Sequence, residues 1–281
     1  MTASCSVCGS ADTRLAYELI ECSLITCAAC SHCFSTLRPD VDAEVYGEDY
    51  YLERHREYFE NPDTDLFART LERLERHWTR GGRVLDVGCG PGNWLAFLRE
   101  RGYQPYGVET SAAAAQNARD KGLEVACTEI GVYEPPCPMD GMISWYVVEH
   151  IDDIADFIGD SARALSEGGV AVFATVDSGS TIYRLGKLLH RLTLGWLRWP
   201  LQRICEVHHV QHFTRRSLDR VLRDNGFEIL ERFSAPFPAE SINATALQRI
   251  LVRVAYLLAA PFDSHIIQVV IARRGGAPDP A

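Results

Sequence analysis

The amino-acid sequence predicts an α/β fold: a doubly wound parallel sheet of about seven strands, preceded by a small cysteine-rich unit. Three observations carry this reading. From Arg83 onward, short apolar runs alternate with helical patterns. A glycine-rich turn, Gly88 to Gly92, joins the first of those runs to a helix. Six cysteines, Cys5, Cys8, Cys22, Cys27, Cys30 and Cys33, crowd the first 33 residues.

The elements follow in order. In the unit at 1–38, Gly9-Ser10 offers a turn and Arg14 to Thr26 reads as a short hairpin. Residues 39–80 form a helical connector with an aromatic cluster, Tyr46, Tyr50, Tyr51, Tyr58 and Phe59. Between Asp65 and Trp78, Leu66, Phe67, Thr70, Leu71, Leu74 and Trp78 recur at helical spacing. The main domain spans 81–273. Its expected strands are 83–87, 104–109, 123–127, 139–146 and 169–176, and its helices 93–101, 111–121 (capped by Ser111) and 152–165. A lid insertion occupies 177–210. A helix at 215–225 is stopped by Gly226, and strands at 227–233 and 266–272 flank an apolar helical stretch at 242–258. The Gly/Pro-rich tail, 274–281, is expected to be disordered.

Bulk properties bound the function. The chain has 281 residues, 47% of them hydrophobic, enough for a sizeable core. Its net charge of −10 argues against broad nucleic-acid binding. The start has no basic segment leading into an apolar run, and no stretch of eighteen apolar residues occurs. A reduced, cytoplasmic protein with one metal site is the expectation.

Two cysteine pairs, Cys5-x2-Cys8 and Cys27-x2-Cys30, stand eighteen residues apart. Paired C-x2-C elements at this distance fit a tetrahedral four-thiolate zinc site. A closed set leaves no open coordination position, so this zinc is structural. Cys22, His32 and Cys33 are alternate ligands. Thirty-eight residues form little core alone, so metal binding would drive this unit's folding.

The glycine turn reads Leu85-Asp86-Val87-Gly88-Cys89-Gly90-Pro91-Gly92. Glycines let backbone approach a ligand closely. Glu109 ends the second strand, where a nucleoside-binding α/β domain places a carboxylate for ribose hydroxyls. A dinucleotide dehydrogenase wants its third glycine three positions after the second. Here it comes after two, and Asp86 would repel a diphosphate while favouring a cationic ligand.

The run resembles the D-x-G-x-G-x-G loop of the class I S-adenosylmethionine-dependent methyltransferases, whose fold is Rossmann-like. Three further segments agree: 140–151, ending in Glu149-His150; 165–175 (LSEGGVAVFAT); and His212-Phe213-Thr214 through Gly226-Phe227. The resemblance covers about residues 60–273 and is nearest the ubiquinone-biosynthesis type. It implies that Asp86, Gly88, Cys89 and Gly90 face the methionine part of the cofactor and that Glu109 holds the ribose. It adds Thr110 and Tyr146 to the cofactor site, with Thr128 or Glu129 at the adenine. An N-terminal zinc ribbon followed by Tyr-Gly-x-x-Tyr-Tyr also resembles a branch of these enzymes. There Gly-Leu commonly follows the last cysteine pair; this chain has Ser31-His32-Cys33.

Methyl transfer to a hydroxyl is helped by a base, and His150, just past the fourth strand, is the candidate. His208, His209 and His212 form a second cluster, expected in the substrate pocket. His208 and His212 would share a face if helical and could then hold a metal. Thr214 caps the helix after them. Residues 181–203 carry Arg184, Lys187, Arg191, Arg198 and Arg203, no acid, and an apolar side with Trp196 and Trp199. That pattern suits a pocket lid or peripheral membrane contact. The expected acceptor is a small molecule, with glycan- or lipid-linked acceptors among the options, methylated at oxygen. The competing functions are an NAD(P)-type oxidoreductase and a zinc-ribbon binding module on an inactive methyltransferase fold.

Overall fold

A computed structural model describes residues 4–37, 59–78, 81–238 and 245–275. Tyr46, Tyr50, Tyr51 and Tyr58, the start of the 242–258 stretch and the tail past Gly275 lie outside the described residues.

The ribbon begins with β1 (Thr13–Glu18), β2 (Cys22–Cys27) and β3 (Cys33–Leu37), paired antiparallel in that order. The β1–β2 hairpin matches the sequence reading, and β3 is additional. Both C-x2-C turns close alike. The Cys5 carbonyl accepts the Gly9 N–H at 2.8 Å, and the Cys27 carbonyl accepts the Ser31 N–H at 2.9 Å. Gly9 (φ +69°) and Ser31 (φ +61°) both turn left-handed, so Ser31 fills a position that favours glycine.

A fourth strand completes this sheet from far along the chain. β9 (Gln211–His212) pairs antiparallel with β3, Cys33 opposite His212 and Phe34 opposite Gln211. The ribbon is therefore not a free-standing unit. Val7, Cys30 and Phe34 share a core with Phe213 and Leu222 of the main domain.

The large sheet holds β4 (Arg83–Val87), β5 (Gln104–Glu109), β6 (Glu124–Cys127), β7 (Met139–Trp145), β8 (Leu165–Val176), β10 (Phe227–Ala235) and β11 (Ile267–Arg274). Their order is β10-β11-β8-β7-β4-β5-β6. One correction to the expected parallel sheet is needed: β11 runs antiparallel to both neighbours. Ile267 pairs with both Val176 and Ala235, so β11 enters at the edge where β8 and β10 end. β11 therefore starts at the same edge at which β10 ends and runs back antiparallel to it.

Helices α1 (Thr64–Leu74), α2 (Asn93–Arg99), α3 (Ala112–Asp120), α4 (Ile154–Ala164), α5 (Thr181–Leu192), α6 (Trp199–Gln202), α7 (Arg215–Asp224) and α8 (Ala246–Ala259) surround it. Strand alternation sends Leu85 to the face covered by α4 and α7, and Val84 to the face covered by α1 and α2. Ser111 caps α3 by accepting the Ala114 N–H, and Thr214 forms a capping box with Ser217.

The insertion's helical run breaks before Pro200, which stands in the first turn of α6, where its missing N–H is not needed. The break comes earlier, at left-handed Leu194 and Gly195. At Gly186 in α5 a Cβ would lie 3.2 Å from Ile204 and 3.4 Å from Leu201, so glycine lets the α6 segment approach. Tyr183, Leu201 and Cys205 seat the insertion on the ribbon's Tyr17, Leu19 and Leu24.

Candidate functional site

The carboxyl ends of β4, β5, β6 and β7 converge on the glycine turn. Gly88, Gly90 and Gly92 all have positive φ (+73°, +53°, +81°). A Cβ at Gly88 would sit 2.4 Å from Val147, and one at Gly92 would sit 2.4 Å from Leu123 and 3.0 Å from Ala118. Those two glycines thus admit protein neighbours. At Gly90 the nearest atom is 3.5 Å away, on the Phe59 ring. Phe59 was read only as one of an aromatic cluster. Its carbonyl accepts the Asn93 amide at 2.7 Å, so the connector's end covers the turn.

Asp86, on the Val84 face of β4, is buried, and its Oδ1 has no hydrogen-bond partner among the described residues. Burial, and then the charge of Glu109, push its carboxyl up to about 8. Glu109 spans the turn: Oε2 accepts the Gly90 N–H at 2.8 Å and Oε1 accepts the Ser111 N–H at 2.9 Å. The Thr128 N–H donates to the Glu109 carbonyl at 3.1 Å, and Glu129 precedes a short turn at Ile130–Val132. Thr110 lies beside Glu109, its hydroxyl 3.5 Å from Oε1. Tyr146 takes a left-handed φ of +58° just past β7. The Cys89 side chain departs from the group: it packs against Leu95, Ala118 and Leu123, leaving only its backbone toward the turn.

A second group adjoins the end of β7. One ligand-type atom each of Glu149, His150 and His209 lie within 4.8 Å of one another. The Thr175 hydroxyl donates to Glu149 at 2.7 Å, and burial raises that carboxyl to about 7. His150 Nδ1 lies 3.0 Å from the His208 carbonyl. A carbonyl only accepts, so Nδ1 carries the proton and Nε2 keeps its lone pair. The His150 and His209 rings meet edge to face at 4.9 Å, and His209 lies 3.6 Å from Glu206.

His212 is not brought into this group. It sits in β9, fully buried, and burial together with His32 and Lys187 pushes its imidazole down to about 3. The chain at 208–212 is turn and strand, so His208 and His212 share no helical face.

Between the two histidine positions stands Gln211, which sequence reasoning passed over. Its amide donates to the carbonyls of Ile151 (2.8 Å) and Asp152 (3.1 Å). Its oxygen accepts from Ser6 (2.9 Å) and His32 (2.8 Å). The loop after His150 is thereby tied to the ribbon.

In the ribbon, the Cys5 and Cys30 sulfurs are 3.5 Å apart and those of Cys8 and Cys27 3.6 Å, all four within 4.8 Å. Tetrahedral zinc, with Zn–S of about 2.3 Å, keeps its sulfurs about 3.8 Å apart, so the set fits. The alternates lie elsewhere: Cys22 and Cys33 pack with Tyr183 and Cys205, and His32 bonds Gln211.

A family model described as "Methyltransferase domain" matches residues 52–232. Among curated proteins, the ubiquinone biosynthesis O-methyltransferase of Bradyrhizobium sp. (strain ORS 278) is 33% identical over 141 residues, 47% of this chain and 56% of that protein. The enzyme of that name from Caulobacter sp. (strain K31) is 30% identical over 152 residues, 49% of this chain and 60% of that one. The chain thus spans little more than half the length of these relatives. Among solved structures, an S-adenosylmethionine-dependent methyltransferase from Archaeoglobus fulgidus matches with a TM-score of 0.56 at 20% identity, covering 80% of this chain and all of that one. The Burkholderia thailandensis 1,6-didemethyltoxoflavin-N1-methyltransferase, with bound 1,6-didemethyltoxoflavin and S-adenosylhomocysteine, matches at 0.52 and 15% identity, covering 87% and 96%.

Proposed function

Since the chain belongs to the class I S-adenosylmethionine-dependent methyltransferases, we propose that it methylates a small-molecule acceptor at a hydroxyl oxygen. The observation that carries this is Asp86: a buried carboxyl oxygen with no partner among the described residues suits a cationic ligand arriving at the glycine turn, whose charge would favour the ionised form. The bound cofactor supplies an electrophilic methyl group on its sulfonium. Asp86 is assigned to its ammonium group and Glu109 to its ribose. The backbone of Gly88, Cys89 and Gly90, with Thr110 and Tyr146, lines the same site, and Thr128 or Glu129 is assigned to the adenine. His150 Nε2 takes the acceptor's proton, and the His208 carbonyl fixes the tautomer that permits it. His209 borders the acceptor; His212 acts from behind it, as part of β9. Zinc held by Cys5, Cys8, Cys27 and Cys30 is structural.

Calorimetric titration tests the reading. S-adenosylhomocysteine is expected to bind, and Asp86→Asn to weaken it on the order of tenfold or more. Unchanged affinity in that variant removes the role given to Asp86. Failure to bind, alongside tight binding of a nicotinamide dinucleotide, transfers the assignment to an oxidoreductase.

A further inference from the structure

Helices α5 and α8 come from separate parts of the chain and pack against each other at the carboxyl edge. Both carry their apolar faces outward. On α5, Tyr183, Gly186 and His190 are buried, while Leu185, Leu188, Leu189 and Leu192 form an exposed stripe at i, i+3, i+4 and i+7. On α8, Ile250, Leu251, Val254, Leu257 and Leu258 are exposed. The turn after α5 extends the surface, with Leu194 96% and Trp196 86% exposed, and Phe262 adds to it after α8 at 77%. Scattered exposed apolar residues are ordinary, but exposed apolar faces on two helices that pack together mark a binding surface.

Charge identifies what it binds. Residues 181–204 and 245–262 hold Arg184, Lys187, Arg191, Arg198, Arg203, Arg249 and Arg253 and no acid, in a chain of net charge −10. Arg184, Arg191, Arg203 and Arg253 are exposed. Lys187 turns inward, donating to the Ser178 carbonyl at 2.7 Å. Asp263, at the border, is engaged by Arg215 and Ser234. A second copy docked on this face through a two-fold axis would bring cations against cations. An anionic bilayer offers both complements: headgroups for the arginines, and an interfacial zone for leucine and tryptophan. No helix among the described residues is long and apolar enough to cross a membrane.

We propose that the α5–α8 face docks the protein on an anionic lipid surface, beside the edge of the sheet where the glycine turn and His150 lie. The experiment is flotation of the full chain with vesicles of phosphatidylcholine alone and of phosphatidylcholine with phosphatidylglycerol, at low and raised salt. Binding is expected to the anionic vesicles only and to fall with salt. Trp196→Ser with Leu257→Asp, and separately Arg184→Gln with Arg253→Gln, are each expected to lower partitioning about tenfold or more. All four side chains are exposed, and circular dichroism checks that the variants fold. No binding, equal binding to neutral vesicles, or binding indifferent to both variants overturns the proposal. So does a sedimentation dimer that Leu257→Asp dissociates, since a second copy then covers the face. The readout needs no methyl transfer, so it stands or falls apart from the proposed activity.

Discussion

At the scale of single residues, Gln211 ties the ribbon to the loop after His150. Four hydrogen bonds use both its donors and its acceptor oxygen, joining Ser6 and His32 to the carbonyls after His150. Removing them leaves buried groups without partners. Gln211→Ala is expected to cost about 2–4 kcal/mol of stability. It is also expected to lower kcat on the order of tenfold or more by loosening the His150 loop. Affinity for S-adenosylhomocysteine should stay unchanged, because Gln211 touches no part of the glycine turn. Equal losses in binding and kcat would mark a general structural role instead. This residue was not legible in the sequence, since its partners lie 59 to 205 positions away. Asp86, Gly90 and Glu109 were legible because turn, strand and carboxylate follow one another at short, regular spacing. Cys89 was legible only as part of that spacing, which does not say which way a side chain turns.

At the scale of elements, the α/β alternation located most strands and helices to within a few residues, because buried strands here are short apolar runs bounded by glycines. What it missed depends on partners. The two residues of β9 are a strand only because they pair with β3, which lies between β2 and β9, and neither β3 nor β9 has a pattern of its own. The reversal of β11 lies in its pairing with β8 and β10, which periodicity does not encode. The four-cysteine unit was readable from spacing, and the zinc proposed for it makes a prediction at this scale. Elemental analysis should return one zinc per chain. Cys30→Ser should release it and lower the melting temperature by more than about 5 °C, since Cys30 also belongs to the core shared with α7. Zinc-free protein from chelator-free purification, melting no lower than Cys30→Ser, would refute a structural metal.

For the molecule as a whole, buried ionisable groups set the pH at which the ligand-free protein is most stable. Burial holds His32 down at about 4 and His212 at about 3, so their contribution is lost as pH falls below 6.5. Burial raises Glu149 to about 7 and Asp86 to about 8, so both enter the fold protonated, and their contribution is lost as pH rises toward those values. Between about pH 4.5 and 6.5 the two pairs oppose each other. Above 6.5, of these four groups only the carboxyls still change. The melting temperature should therefore drop by a few degrees from pH 6.5 to 8.5. Asp86→Asn should flatten much of that drop. A flat or rising wild-type profile would contradict the assignment.

The shared β3–β9 edge also has a history during synthesis. The four clustered sulfurs of Cys5, Cys8, Cys27 and Cys30 leave the ribosome well before β9, so a metal held by them would be taken up before the ribbon's sheet is complete. Its last strand, Gln211–His212, emerges some 175 residues later, a wait of roughly 10–35 s at ordinary elongation rates. Through that interval the nascent ribbon presents β3 as an open edge, available to chaperones or to a neighbouring chain. Slowing translation between residues 40 and 210 would lengthen that exposure without altering a single contact of the finished protein.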